Sequence, residues 1–145
     1  MKCINKKGRL TKGMIRDILL FSVGGAGYFS LEVLFRGYSH WSMALCGGVC
    51  LLSIFHMNKK MAKKKLAVRA LGGAFIITAV EFVCGCFVNL LMKWRVWDYS
   101  HIPLNLLGQI CLPFTFLWFA LCIPICLIFN LFCKGSDRLK TEKAS

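Results

Sequence analysis

Residues 58–65 read "NKKMAKKK", and this short run decides the architecture. It separates two long apolar blocks, Trp41 to Met57 and Leu66 to Met92. Lysine at this density cannot lie in hydrocarbon, so the run marks a turn at a membrane face. Working outward, a further apolar block lies on either side, Met14 to Phe35 before and Asn105 to Phe132 after. Each of the four is near or above the roughly 18 to 20 residues a helix needs to cross a bilayer core. The chain of 145 residues is 57% hydrophobic, with a mean hydropathy of +0.62 and a net charge of +13, which excludes an ordinary soluble domain. The reading is an all-α integral membrane bundle of four transmembrane helices, two up-down hairpins forming one transmembrane domain over residues 1–145.

The remaining charge gives the orientation. Lys2, Lys6, Lys7, Arg9 and Lys12 precede the first block and Arg16 stands at its very start, and Lys134, Arg138, Lys140 and Lys143 follow the last, whereas the other two connections hold only Arg36, Lys93 and Arg95. The positive-inside rule then puts the lysine turn and both basic tails, residues 1–13 and 133–145, on the cytoplasmic side of the cell membrane. The tails are short and polar and are expected to be mobile. Orientation and anionic headgroups account for the positive charge, and no basic domain is present to bind nucleic acid. The first block carries Glu32 and Arg36 near its end and lacks a clear small-x-small cleavage site, so it reads as a retained span rather than a signal peptide. No GxxxxGK[ST] run occurs, so ATP-driven work would require a separate ATPase subunit. The nine cysteines include no C-x-x-C pair; even Cys46 with Cys50 and Cys122 with Cys126 read as small polarizable hydrophobes.

The chain carries an echo of itself. "YSH" occurs at Tyr38–His40 and again at Tyr99–His101, each just before a span, and "GGAGYFSLE" ending at Glu32 resembles "GGAFIITAVE" ending at Glu81. A parallel internal repeat of two hairpins is one reading and coincidence in a restricted composition is the other.

Polar residues fall on stripes. Tyr28, Glu32 and Arg36 share a face of the first span, with Gly24 and Gly25 a turn below; Ala74, Thr78, Glu81, Gly85 and Asn89 share one on the third; Asn105, Gly108 and Gln109 share the outer end of the fourth. An ionisable group in hydrocarbon costs at least about 2.5–3.5 kcal/mol, so these stripes should face inward and meet one another. Arg36 is the natural partner of Glu32. Glu81 has none nearby in sequence, so it must be protonated, reached by a donor such as Asn105, Gln109 or Arg36, or solvated. Asn105, after Pro103, can also cap its helix. The expected pocket comprises Glu32, Arg36, Glu81, Asn89, Asp98, Tyr99, Asn105 and Gln109, opening to the outer side.

Trp41, Trp94, Trp97 and Tyr99 read as an interfacial anchoring belt, and Ala44, Gly48, Gly72 and Gly73 as flat surfaces for close helix approach. His40, His101, Asp98, Glu32 and Glu81 match no metal-ligand spacing, and the serines near the histidines form no readable catalytic arrangement. No enzyme activity, cofactor or metal is expected.

The runs "LEVLFRGYSHWSM" (31–43), "EFVCGCFVN" (81–89) and "VWDYSHIPLNLLGQICL" (96–112) resemble the ABC-transporter type IV (CmpB-like) permeases, a family of small bacterial membrane proteins. More distantly they are similar to a vertebrate four-span membrane family that keeps a W-D-Y-S loop and the preceding Glu-Phe. The resemblance covers the chain from about Ile18 to Phe132. It falls on Glu32, Gly37, Tyr38, Ser39, Trp41, Met43, Glu81, Gly85, Asn89, Trp97, Asp98, Tyr99, Ser100, Pro103, Asn105, Gly108 and Gln109. It implies a multi-pass, permease-like transport subunit in the lipid bilayer, working as a homo-oligomer or beside a partner membrane subunit, with a separate ATPase as a further candidate partner. The alternative is a non-transporting scaffold or regulatory subunit whose polar residues only fix helix packing.

Overall fold

The computed structural model describes residues 2–142, with side chains described for residues 11–132. Among the described residues four helices are long and apolar enough to cross a membrane. Helix α1 (Lys2–Arg36) contains the first span, Thr11–Arg36, and α2 (Trp41–Lys60) is the second. The third, Leu66–Leu91, is α3 (Leu66–Gly85) continued by a π-helical turn, Cys86–Leu91; the fourth, Leu112–Phe132, lies in α4 (Leu112–Glu142). A hairpin of two-residue strands, β1 (Asn105–Leu106) and β2 (Ile110–Cys111), precedes α4, with Asn105 opposite Cys111 and Leu106 opposite Ile110. Large apolar side chains stay exposed along the spans, among them Leu34, Phe35, Phe75, Phe116 and Leu131, which suits a surface solvated by lipid.

Two expectations change. The backbone of residues 2–13 and 133–142 continues α1 and α4 rather than forming separate tails, while the expected tail residues 1 and 143–145 lie outside the described residues. Residues 105–111 are not the outer end of the fourth helix, because Leu104, Leu107 and Gly108 take φ of +57°, +53° and +67°. A right-handed helix cannot pass through left-handed residues, so α4 starts only at Leu112.

The chain forms two compact units, Met1–Leu52 and Ser53–Ser145, whose boundary falls inside α2. In the first unit, α1 and the beginning of α2 run antiparallel with backbones almost in contact. A Cβ on Gly24 would lie 2.5 Å from the Gly47 carbonyl oxygen, and one on Gly25 would lie 2.7 Å from that of Ala44. Phe21 covers Gly48 in the same way. Without a hydrophobic drive between helices in lipid, dispersion at such close range is what holds them.

In the second unit α3 and α4 run antiparallel. The buried face of α3 is Arg69, Ala70, Gly73, Ala74, Ile77, Glu81 and Gly85, recurring at three- and four-residue steps. Its small members admit α4: a Cβ on Gly73 would lie 2.6 Å from Cys122 Sγ, and Cys122 is fully buried. Thr78 and Thr115 meet at 3.3 Å across this seam, and Phe55 from α2 packs edge-on against Phe129. Among the described residues Cys46, Cys50, Cys84, Cys86, Cys111, Cys122 and Cys126 are not joined in disulfides, and the side chains of Cys3 and Cys133 lie outside the described residues.

Candidate functional site

The end of the second unit away from the lysine turn is a loop of unusual conformation. The π-helical turn closes with the Met92 N–H donating to the Phe87 carbonyl and the Trp94 N–H to that of Val88, both at 2.9 Å. The chain then leaves through Lys93 and Arg95, at φ of +57° and +51°. With Leu104 and Leu107 this makes four non-glycine residues in the left-handed region, each costing roughly 1–2 kcal/mol. Such conformations persist only where surrounding contacts over-determine them.

The contacts that do so come from the polar residues of the sequence motifs. Asn89, on the π-helical turn, accepts from the Val96 N–H at 2.7 Å and donates to the Trp97 carbonyl at 3.0 Å and to Gln109 Oε1 at 2.8 Å. Gln109 donates to the Leu107 carbonyl at 2.8 Å, and its own carbonyl receives the Trp97 indole N–H at 3.0 Å. Asn105 donates to the carbonyls of Ser100 and Ile102 and accepts from the Gly108 N–H. Asp98 accepts from the N–H and the hydroxyl of Ser100, and the Tyr99 N–H donates to the Gly108 carbonyl. The Tyr99 ring stacks on Phe114 at 4.8 Å. Those donors from Ser100 hold the Asp98 carboxyl below the usual carboxylate range.

Two glycines make this docking possible. A Cβ on Gly85 would sit 2.5 Å from Gln109 Oε1 and 2.9 Å from Trp97 Cζ2, so α3 can receive the loop only where it has no side chain. Gly108 combines φ of +67° with Ser100 Oγ and Asp98 Oδ1 at 2.5 and 2.8 Å from a would-be Cβ.

Glu81 lies one turn before Gly85 on the buried face of α3, and its Oε2 accepts from the Trp118 indole N–H at 2.8 Å. Trp118 was not singled out in the sequence. An indole N–H inside an apolar span requires an acceptor, and that requirement was the available signal. Of the eight expected pocket residues, Asn89, Asp98, Tyr99, Asn105 and Gln109 thus build one loop, with Glu81 beneath its docking point. Asn105 braces this loop instead of capping α4.

Glu32 and Arg36 belong to the first unit. They pair at 3.0 Å across one helical turn; Glu32 also accepts from the Ser39 hydroxyl at 2.8 Å, and Arg36 reaches the Tyr38 hydroxyl at 3.2 Å with its guanidinium 4.9 Å from the ring centre. The two YSH copies therefore sit differently, Ser39 on a helix glutamate and Ser100 on the loop aspartate. The aromatic belt also divides. Trp41 and Trp94 are exposed, whereas Trp97 is buried as the core of the loop. Among the described residues, no group of three or more His, Cys, Asp and Glu side chains is placed to hold a metal ion.

The family described as "Putative ABC-transporter type IV" matches residues 31–143. The chain belongs to this family. The match takes in the lysine turn, the third and fourth spans and the whole loop between those spans. Together with the four spans it makes the chain a multi-pass membrane protein of ABC-transporter type. No curated protein and no solved structure matches the chain.

Proposed function

We propose that the chain is a permease-like subunit of a membrane transport assembly, with Glu81 as the solute- or ion-facing group and the loop of residues 86–111 as a rigid outer cap above it. The observation that carries the reading is an ionisable side chain, 2% exposed, within the apolar span Leu66–Leu91. Insertion of such a group is costly, and in membrane proteins such groups mark ion, proton or solute paths. A π-helical turn directly after it supports the same reading, since these turns recur at functional sites. Asn89, Asp98, Tyr99, Asn105 and Gln109 then act by holding the cap, and Glu32 with Arg36 forms a separate ionic group in the first unit. Four spans seldom enclose a path alone, so the subunit works as a homo-oligomer or with a partner membrane subunit and a separate ATPase. Both termini and the lysine turn face the cytoplasm, in the cell membrane.

A scaffold reading is favoured by one observation, that the hydrogen bonds of Asn89, Asn105 and Gln109 run to the loop itself. Native mass spectrometry of the protein released from its own membrane separates the two. The permease reading expects a bound small molecule or a stoichiometric ATPase partner, and loss of the small molecule in Glu81→Gln at unchanged abundance. A Glu81→Gln protein that only loses thermal stability, with nothing bound to the wild type but lipid, supports the scaffold.

A further inference from the structure

At the opposite end of the second unit Arg69 occupies the first turn of α3 and is 6% exposed. Its Nη1 donates to Asn58 Oδ1 in the last turn of α2 at 3.1 Å and to Asn130 Oδ1 within α4, so one guanidinium ties three helices together. Among the described residues no carboxylate pairs with it, and its Nε is buried without a partner. Amide oxygens satisfy hydrogens but carry no formal charge. A buried cation so held lacks the counter-charge that normally offsets desolvation.

The surroundings add positive charge. Helix α3 begins after Lys65 with no side-chain cap, so the N–H groups of Leu66, Ala67 and Val68 have no side-chain acceptor at the positive end of its dipole, whereas that of Arg69 donates to the Lys65 carbonyl. Lys59, Lys60, Lys63, Lys64 and Lys65 are all exposed around that start, and no Asp or Glu occurs anywhere between Glu32 and Glu81. With Nη1 held by the two asparagines, the guanidinium edge left over is the Nε–Nη2 side, which can grip a tetrahedral oxyanion in bidentate fashion. Nε is enclosed, so entry of an anion goes with a shift of neighbouring side chains.

We propose that Arg69, the open N-terminus of α3 and the lysine turn form a binding site for a phosphate group. The phosphate belongs to an anionic lipid headgroup or to a soluble phosphate. The proposal is independent of the role given to Glu81.

The test uses the full chain in zwitterionic detergent, probed with phosphatidylglycerol, phosphatidylcholine and inorganic phosphate. Native mass spectrometry reads which lipid is retained, and the thermal midpoint reads phosphate. Preferential retention of phosphatidylglycerol by the wild type, reduced roughly fivefold for each cation neutralised, assigns the site to a headgroup. A midpoint raised by inorganic phosphate in the wild type but not in Arg69→Gln assigns it to a soluble phosphate. If Arg69→Gln does not fold, the Lys63→Gln, Lys64→Gln, Lys65→Gln triple variant, which leaves the Asn58–Arg69–Asn130 tie intact, decides. Equal retention of both lipids with no response to phosphate overturns the proposal. So does a preference for phosphatidylglycerol that the lysine variant or a folded Arg69→Gln protein keeps at wild-type strength.

Discussion

Replacing Gly85 with alanine adds a single methyl group where α3 receives the loop between the third and fourth spans. The new Cβ would stand 2.5 Å from Gln109 Oε1, 2.9 Å from Trp97 Cζ2 and 3.0 Å from Gln109 Cβ. Ordinary contact needs about 3.5–4 Å, so Gln109 and Trp97 must retreat by roughly 1 Å. Overpacking of this kind costs about 1–3 kcal/mol. Displacing Gln109 also weakens its bond from Asn89, worth about 1 kcal/mol. Against this, alanine in place of glycine stabilises a helix by about 0.5–1 kcal/mol. The net expectation is destabilisation by about 1–3 kcal/mol, read as a lower thermal midpoint in mild detergent. Gly27→Ala is the internal control, because a Cβ there meets nothing within 4 Å and only the propensity gain remains. Fluorotryptophan NMR should show one of the four tryptophan signals, that of Trp97, moving in Gly85→Ala and none in Gly27→Ala. If both variants stabilise and the Trp97 signal stays in place, the loop does not dock on Gly85 and the account of the cap is wrong.

Asn89→Ala should cost about 1–3 kcal/mol, because it strands the Val96 N–H and removes the donor to Gln109 Oε1; faster hydrogen exchange at Val96 and Gln109 checks it. The Asp98 carboxyl is held below its ordinary value by donors from Ser100, so the folded loop favours the ionised form. That contribution is fully present above the ordinary carboxylate range and is lost as pH falls through the lowered value, below about pH 4. Protection of the Ser100 N–H, measured against its intrinsic exchange rate at each pH, should therefore fall in acid, and Asp98→Asn should flatten the dependence.

The four spans were legible because hydrocarbon imposes a length and a composition that can be counted along the chain. The stripe on α3 was legible for a similar reason, since a helix repeats its face every three or four residues: Ala74, Glu81 and Gly85 are buried as the spacing requires. The loop between the third and fourth spans was not. Asn105, Gly108 and Gln109 have helical spacing, but Leu104 and Leu107 turn left-handed, a conformation that leucine does not advertise. Only tertiary contacts stabilise it, so the motif residues look alike in sequence whether they line a cavity or brace a backbone. Trp97 was misread for a related reason. Its place beside the spans suggested a headgroup anchor, whereas the Gln109 carbonyl and the space above Gly85 draw it inside. The partners of Glu81 and Arg69, Trp118 and Asn130, lie far along the chain and inside an apolar block, where no local spacing points to them.

The most direct test of the transport reading compares small molecules inside and outside cells that carry the wild type, no protein, or Glu81→Gln at matched abundance. The account predicts that one class of solute shifts when the protein is absent and shifts in the same direction, by a comparable factor, in Glu81→Gln. A Glu81→Gln strain indistinguishable from wild type, while the strain lacking the protein differs, would contradict it.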